Sequence, residues 1–399
     1  MSRNNALQPA QAPSVLRDTN RRLLLHTLFQ HGPTTRPDLA RRIGLSQPTV
    51  FAVLDDLARA GLVRTFPTRG SRAGRPALTY EANPAAGTVT CVDVGRDWIR
   101  VLVTDLAAAE LQRMDVPNTA RTGRGLVSLI ARSVHQTVEA AGLRPDEVTH
   151  TVVGSPGVFN PHENRLTYAG NLPGWGKPGI VEALAESIGT EITIENDANL
   201  AAVGEYTYGA GKDSDPLIYL TIGSGVGLGI VLQGEIFRGY TGAAGELGYL
   251  PIGQVNTPGE IRRGILEESV AADAVVSEAR SRGLGEDFHA ADVFASARAG
   301  DKVARQILRT EARNLAYAIA SITALLDPQL IILGGGIGQN LDMLRRDIDR
   351  TLEKITPLRC RVESGRFGGD AVLRGAMAIG VEKAQDVVFA RQLDDLPRS

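Results

Sequence analysis

A glycine-rich stretch near the middle of the chain reads Thr221-Ile222-Gly223-Ser224-Gly225-Val226-Gly227-Leu228-Gly229. It joins two apolar runs, residues 217–222 and 226–232, that are predicted as strands. Closely spaced glycines let backbone N–H groups approach an anionic oxygen, and the hydroxyl of Thr221 or Ser224 adds a donor. Tight turns between strands have the same composition. The stretch alone therefore leaves phosphate binding open.

Two further motifs follow predicted strands and open helices. The first reads Leu333-Gly334-Gly335-Gly336-Ile337-Gly338, a glycine turn of the kind that packs close to a nucleotide. The second reads Glu195-Asn196-Asp197-Ala198-Asn199. Its carboxylates and amides are suited to hold a polyol, and Asp197 is suited to accept a hydroxyl proton in phosphoryl transfer. Spacing alone favours equally a simple role for Asp197 as the cap of the helix that runs to Tyr208.

The periodicity around these motifs predicts two sets of strands and helices beyond Pro84. The first set has strands at 89–94, 99–106, 148–154 and 191–194 and helices at 125–141 and 179–188. The second has strands at 217–222, 226–232 and 330–333 and helices at 303–326, 341–352 and 371–382. Because each set opens with strands, two α/β lobes fit the pattern better than one barrel.

The first 84 residues carry a different pattern, which predicts a winged helix-turn-helix. An amphipathic helix at 15–29 precedes two short helices that are joined at Leu45-Ser46-Gln47. Thr34-Thr35 and Ser46 are the predicted N-caps. Such a second helix lies in the major groove, where Ser46, Gln47 and Thr49 can contact base edges.

A predicted hairpin, with strands at 62–63 and 77–80, follows the helices. Its loop carries Arg69, Arg72 and Arg75, and the segment from Arg72 to Pro76 is suited to the negative minor groove. Plain interaction modules can have the same elements. Charge favours DNA, because residues 1–90 hold 12 arginines, no lysine and 5 acidic residues and so carry +7 within a chain of net charge −2.

Composition excludes several classes of protein. The chain has 399 residues, 43% hydrophobic and 22% charged, which is typical of a globular protein of two or three domains. No run of about 18 apolar residues and no apolar signal core occurs. We therefore predict a cytoplasmic protein with no membrane partner. Cys91 and Cys360 cannot make a disulfide framework and are predicted as buried small residues.

Taken in order, these motifs resemble the ROK family of repressors, open reading frames and sugar kinases. The resemblance also rests on Asp93-Val94-Gly95, Asn171-Leu172-Pro173-Gly174-Trp175, Gly204-Glu205 and Gly245-Glu246-Leu247-Gly248. It implies a winged helix at 1–84 followed by a two-lobed, actin-like fold of the sugar kinase, Hsp70 and actin type. The lobes would span 85–212 and 213–399, with the last helix returning to the first lobe. Homodimers or homotetramers are implied as well.

The resemblance also implies the roles of individual residues. Asp197 would be the catalytic base of a kinase, and the sugar hydroxyls would be held by Asn171, Asn196, Asp197, Glu246 and Glu267. The nucleotide site would survive as a vestige at Asp93, Gly95, Thr221, Gly223, Ser224, Gly225, Gly334, Gly335 and Gly336.

Two departures from the family pattern separate its branches. Kinases continue the first motif as Asp-x-Gly-Gly-Thr-Lys, whereas here Arg96-Asp97-Trp98 brings bulk and a carboxylate that repels a triphosphate. The family's zinc-binding His and three Cys are replaced by Tyr249, Pro258, Glu260 and Ile265. We therefore predict no structural zinc or other metal, and we expect Tyr249 to offer a hydroxyl to the sugar.

These features predict a DNA-binding transcriptional regulator, a repressor, that senses a sugar or sugar phosphate between its lobes. It would need no cofactor. The alternative is an ATP-dependent sugar kinase with a DNA-binding extension, which Asp197 and both glycine turns favour.

Overall fold

The structure is a computed structural model that describes residues 13–67, 78–160, 162–167, 169, 172–252, 264–285 and 287–394. These residues form an N-terminal head (residues 13–82) and two α/β lobes, each built on a five-stranded sheet. Within these ranges, none of the helices combines the length and the apolar character that a membrane span requires.

The head combines three helices with a three-stranded antiparallel sheet of order β1-β3-β2. Its elements are α1 (Pro13–His31), β1 (Thr34–Thr35), α2 (Arg36–Ile43), α3 (Gln47–Arg59), β2 (Val63–Pro67) and β3 (Leu78–Ala82). Leu24, Leu28 and Leu57 are fully buried between the helices. Apolar residues at helical spacing thus form the core of the head, as the sequence predicts.

The two predicted caps of the head differ in the structure. Ser46 caps α3 as predicted, and its hydroxyl accepts the N–H of Thr49 at 3.2 Å. Thr35 stands at the N-cap of α2 without a cap hydrogen bond, because its hydroxyl donates to Asp38 at 2.6 Å. Thr34 and Thr35 instead form β1, which pairs with β3. The N-cap position at Thr35 was therefore predicted correctly, whereas the cap hydrogen bond is absent and strand β1 was not predicted.

The first lobe has a sheet of order β10-β7-β4-β5-β6. Its elements are β4 (Thr88–Val94), β5 (Trp98–Asp105), β6 (Glu110–Pro117), α4 (Gly123–Ala140), β7 (His150–Ser155), β8 (Val158–Asn160), β9 (Arg165–Thr167), α5 (Ile180–Ile188), β10 (Ile192–Asn196) and α6 (Asp197–Tyr208). Strands β10, β7 and β4 are parallel, and β4, β5 and β6 are antiparallel. Sequence reasoning missed β6, a largely exposed edge strand with few apolar residues.

The second lobe has a sheet of order β13-β12-β11-β14-β15. Its elements are β11 (Leu217–Ile222), β12 (Val226–Leu232), β13 (Glu235–Ile236), α7 (Ile265–Val270), α8 (Ala272–Ser281), α9 (Ala290–Arg298), α10 (Lys302–Leu326), β14 (Leu330–Gly334), α11 (Gly335–Gly338), α12 (Leu341–Ile355), β15 (Arg361–Ser364) and α13 (Ala371–Asp394). The short helices α7, α8 and α9 were not predicted.

Helix α13 leaves the second lobe and packs against α6, β4 and β7 of the first. Its contact with α6 is close, because a Cβ on Gly204 of α6 would overlap the backbone of α13 at Ala371, and one on Gly375 would overlap the backbone of α6 at Leu200. One continuous apolar core then joins α13 to the head, from Leu24 of α1 to Phe389 of α13. The head is therefore attached to the two lobes through packed side chains as well as through the chain.

Candidate functional site

The two sheets direct the predicted site residues to the junction between the lobes, which is called the cleft below. Parallel strands β4, β7 and β10 end side by side, with Asp93 paired to Gly154 and Asn196 paired to Ser155. On the second lobe, the glycine turn 223–225 joins β11 to β12. The α6 N-terminus contacts the start of β12, directly after this turn, since a Cβ on Gly227 would lie 3.0 Å from that of Ala198. Carboxyl ends of parallel strands are where α/β folds bind ligands.

Asp197 is the first residue of α6 and is partly buried. Burial raises the pKa of its carboxyl to about 7, and the negative charges of Asp93 and Glu246 add to the rise, whereas the N–H of Ala198 opposes it. A carboxyl that titrates near neutrality is suited to accept a proton or a hydroxyl hydrogen bond.

The second lobe contributes two acidic residues, Glu246 and Glu267, to this region. Glu267 of α7 accepts the N–H of Val226 at 3.1 Å beneath the glycine turn. Burial and the charge of Glu267 raise the pKa of Glu246. Asp93, Asp197, Glu246 and Glu267 are called the acidic lining here, because the charges of Asp93 and Glu246 act on Asp197 and the charge of Glu267 acts on Glu246. Carboxylates of both lobes can accept hydrogen bonds from several hydroxyls of one ligand.

Asn196 is the true N-cap of α6, which corrects the alternative that assigned this role to Asp197. Its amide oxygen accepts the N–H groups of Ala198 and Asn199 at 2.9 and 3.2 Å. Its amide nitrogen donates to the carbonyl of Gly157 at 2.9 Å and keeps one further N–H. Asn196 therefore positions Asp197 and has limited capacity left for a ligand.

A direct ion pair joins the lobes beside Asp197. The guanidinium of Arg238, just after β13, donates to the buried carboxylate of Glu195 at 2.8 Å. The other carboxylate oxygen accepts from Asn199, at 2.9 Å. Sequence reasoning did not name Arg238 as a site residue, and it expected the amide of Asn199 to contact a polyol rather than Glu195. A lone arginine in a polar loop gives no signal in the sequence, because its partner is 43 residues away.

Asp93 is also paired with an arginine. Arg100 donates to its carboxylate at 2.8 Å, although burial still raises the pKa of Asp93. The pair was predictable, because the β4–β5 hairpin places Arg100 directly opposite Asp93. Gly95 lies in the hairpin turn, where its N–H donates to the carbonyl of Trp98 at 2.9 Å. Arg96 and Asp97 pair with each other on the surface.

The two glycine turns meet at a cavity of about 350 Å³ in the second lobe. Gly223, Ser224 and Gly336 line it together with Phe294 and Arg298. Thr221 and Gly334 are paired on adjacent strands, and Gly335 begins α11. Residues predicted for the vestigial nucleotide site in this lobe are therefore brought together, while Asp93 and Gly95 lie across the cleft.

Other predicted site residues remain apart or undescribed. The side chain of Tyr249 is about half exposed, in the short helical turn that precedes residue 253. Asn171, Pro258 and Glu260 lie outside the described residues, and Ile265 begins α7. Within the described ranges, no three His, Cys, Asp or Glu side chains come together as metal ligands would.

The second helix of the helix-turn-helix, α3, presents Ser46 and Gln47 to solvent and Thr49 half-buried. Sequence reasoning missed Phe51 on the same face, which is 52% exposed and lies under the Arg36 guanidinium at 5.0 Å. The sequence feature that could have revealed Phe51 is that it is a large apolar residue outside the apolar positions that form the core face of the helix. Arg69, Arg72 and Arg75 lie outside the described residues.

Part of the positive charge of the head is used internally. Asp56 of α3 is 1% exposed and accepts hydrogen bonds from Arg17 and Arg21 of α1 and from Arg59. Burial raises the pKa of Asp56, but the hydrogen bonds and charges of Arg21 and Arg17 hold it below its ordinary value. These pairs fix α3 to α1, so they reduce the charge that remains for DNA.

A chain of contacts runs from the cleft to the head. Glu205 of α6 is fully buried and accepts the N–H groups of Arg366 and Phe367, which precede α13. At the other end of α13, Arg22 of α1 lies over Phe389 at 4.3 Å and pairs with Asp386. Helices α6, α13, α1 and α3 are thus connected in series.

Comparison with known proteins agrees with this architecture. The sequence model of the ROK family matches residues 89–383, and that of the MarR family matches residues 20–72. The xylose repressor of Caldicellulosiruptor bescii is 24% identical over 390 residues, which cover 92% of this chain and 96% of the repressor.

Two solved structures share the fold. The crystal structure of a ROK family transcriptional regulator, described as a homolog of the E. coli MLC protein, superposes with a TM-score of 0.79 at 21% identity, over 95% of this chain and 99% of that one. A ROK family glucokinase from Streptomyces griseus, in complex with glucose and AMPPNP, superposes with a TM-score of 0.63 at 29% identity. The match covers 74% of this chain and 100% of the glucokinase.

Proposed function

The chain belongs to the ROK family, and we propose that it is a transcriptional regulator whose affinity for DNA is set by a sugar or sugar phosphate in the interlobe cleft. This function is supported by a relative that matches 92% of the chain and is named a xylose repressor. A repressor that releases its operator when the sugar binds is the form we propose, without a cofactor or structural zinc.

One observation carries the proposal, namely the continuous packing from the cleft to the head. Asp197 opens α6, α6 packs closely on α13, and α13 shares its apolar core with α1. A kinase with an unrelated DNA-binding extension would need no such connection. Regulation requires it, because the ligand must alter the energy of two arrangements of the head.

The acidic lining suggests how a sugar acts. Asp197 belongs to the first lobe, whereas Glu246 and Glu267 belong to the second, so a polyol that contacts all three favours one closure of the cleft. In a homodimer or homotetramer, that closure sets the separation of two α3 helices. Half-sites lie about 34–36 Å apart on one face of the duplex, so a modest rotation removes one helix from its groove.

Operator titration tests the proposal. The full-length protein is titrated onto the DNA upstream of its own gene in the presence of xylose, glucose, N-acetylglucosamine and their phosphates. We expect one of them to shift operator affinity by about tenfold or more, which corresponds to about 1.4 kcal/mol of coupling. Operator binding that none of them shifts contradicts the proposal.

A sugar kinase is the second candidate, favoured by the pKa of about 7 at Asp197 and by the cavity where Gly223 and Gly336 meet. Phosphoryl transfer would use Asp197 as the base for a sugar hydroxyl and would place ATP along the glycine turns. Against it stand the Arg100–Asp93 ion pair and the Arg96-Asp97-Trp98 segment. ATP consumption that depends on a hexose and is lost in Asp197→Asn would establish the kinase.

A further inference from the structure

A second cavity, of about 370 Å³, lies in the second lobe between α10 and the pair α7 and α8. It contains none of the residues predicted for the sugar or the nucleotide. Its lining is largely polar and includes Glu311, Arg313 and Asn314 of α10, together with Ser269 of α7. The amide of Asn314 donates to the carbonyl of Ser269 at 3.4 Å, which fixes α10 to α7 at the cavity wall.

Glu311 is the unusual residue of this cavity. It is 3% exposed, and its Oε1 has no hydrogen-bond partner among the described residues. No lysine, arginine or histidine nitrogen of the described chain pairs with it. Burial alone raises the pKa of its carboxyl well above its ordinary value. Buried carboxyl groups without partners are rare, because each loses its hydration without compensation.

The other charged groups of the lining show whether the charge of Glu311 would be balanced. They are Glu268 of α7, Glu278 of α8, Arg282 directly after α8, and Arg313 of α10. Arg282 is committed to Glu278, with its Nε at 2.6 Å from the carboxylate. With Glu311 ionised, the lining would hold three carboxylates against two guanidinium groups. The uncompensated charge is therefore negative and lies at the buried end.

We propose that this cavity binds a small organic cation whose ammonium group pairs with Glu311. An ammonium group supplies both the missing charge and up to three N–H donors, and the hydroxyl and amide groups of the lining are suited to polar atoms on the rest of the ligand. On binding, the Glu311 carboxyl loses its proton to solvent and the ammonium group keeps its own. One proton is therefore released per ligand bound.

The position of the cavity gives it a route to the sugar cleft. Helix α7 separates the two, because Glu267 contacts the glycine turn at Val226 and the next residue, Glu268, lines the cavity. A ligand beside Glu311 therefore contacts the helix that carries a predicted sugar-binding carboxylate. This is a separate effector site, and its existence does not depend on the identity of the sugar.

Calorimetric titration of the full-length protein with putrescine and ethanolamine, and with butanediol as the neutral counterpart, tests the proposal without DNA or sugar. We expect an amine to bind, butanediol not to bind, and the heat in buffers of different ionisation enthalpy to report release of about one proton. Glu311→Gln should weaken amine binding roughly 10- to 100-fold. Glu353→Gln, on the exposed side of α12, is the matched control.

Four results would overturn the proposal: no amine binding, equal binding of butanediol, amine binding without release of a proton, or amine binding that Glu311→Gln leaves unchanged. Proton release is measured on the unmodified protein, so the proposal remains testable even if Glu311→Gln fails to fold. Failure of the amine site leaves the operator titration unaffected, and the two proposals can therefore fail separately.

Discussion

The guanidinium of Arg22, on the first helix, lies 4.3 Å above the ring of Phe389, on the last helix. The same arginine pairs with Asp386 one turn earlier on α13. Phe389 belongs to the apolar core that α13 shares with the head, and α13 in turn packs on the helix that begins at Asp197. The pair therefore lies along the packed route through which we propose that a sugar acts on the DNA-binding head.

Arg22→Ala should weaken the sugar response without opening a cavity, because the Arg22 side chain is half exposed. Loss of the cation–π contact and the surface ion pair removes about 0.5–1 kcal/mol. We expect the sugar-induced shift in operator affinity to shrink by roughly two- to fivefold. Arg346→Ala, exposed on α12, should leave the shift unchanged. An unchanged response in Arg22→Ala would remove this contact from the coupling route.

Asp56→Asn should destabilise the head by about 3 kcal/mol, because Arg17 and Arg21 lose a buried partner. Its neighbour Asp55 pairs with Arg59 on the surface, so Asp55→Asn should cost less than about 1 kcal/mol. Hydrogen exchange of the head amides measures both changes. Equal effects of the two substitutions would show that the buried position of Asp56 contributes nothing.

The stability that Asp56 gains from Arg17 and Arg21 depends on pH, and the sign of that dependence follows from its pKa. The folded-state pKa of Asp56 is held below its ordinary value of 3.8. Its contribution to stability is therefore fully present above about pH 4 and is lost as the pH falls through the folded-state pKa. The stability difference between the unmodified protein and Asp56→Asn should shrink in that acidic range.

Phe51→Ala should weaken operator binding by about tenfold, the loss of one apolar base contact. Because Phe51 is 52% exposed, folding should be unaffected. The slope of log affinity against log salt should also stay the same, since no phosphate contact is lost. Leu325→Ala, on the exposed side of α10, provides the control. A Phe51→Ala protein with full operator affinity would place this face of α3 outside the groove.

Replacing Arg72 and Arg75 together by alanine should change the salt dependence of operator binding, unlike Phe51→Ala. Both residues lie outside the described residues, and their role in the wing remains a sequence prediction. If both contact phosphates or the minor groove, affinity for all operators falls and the salt slope decreases by about 2. An unchanged slope would exclude the wing from the interface.

Asp197 should make sugar binding depend on pH. The pKa of its carboxyl is raised to about 7, and the ionised form accepts hydrogen bonds from sugar hydroxyls. Sugar affinity should therefore fall by up to about tenfold for each pH unit below 7. Asp197→Asn should bind sugar weakly at every pH. Calorimetric titration with the responsive sugar measures both, and a flat profile for the unmodified protein would contradict the assignment.

Asp197→Asn should also change how the stability of the unliganded protein depends on pH. A raised carboxyl pKa means that the folded state binds more protons than the unfolded state between about pH 4 and pH 7, so stability decreases with pH across this window. Removing the charge should stabilise the unliganded protein by about 4 kcal/mol at pH 8 and by little at pH 4. Thermal unfolding at the two pH values checks the difference.

Much of the fold could be predicted from local sequence pattern. Helical spacing of apolar residues, capping by Ser46 and glycine turns after strands depend on neighbours within a few residues. Elements with weak local signals were missed, such as the edge strand β6 and the short helices α7 to α9. Strand β1 (Thr34–Thr35) was also missed, because Thr79, the residue of β3 that pairs with Thr35, lies 44 residues further along the chain.

The sequence by itself determined the class of the protein, because the order of its motifs along the chain carries the resemblance to its family. Only the tertiary structure decided which charges meet. Arg238 reaches Glu195 across the cleft, Arg22 reaches Asp386 at the opposite end of the chain, and Glu311 is left without a cation. Coulombic and desolvation energies depend on distance and burial. Neither can be read from sequence spacing when the residues belong to different elements.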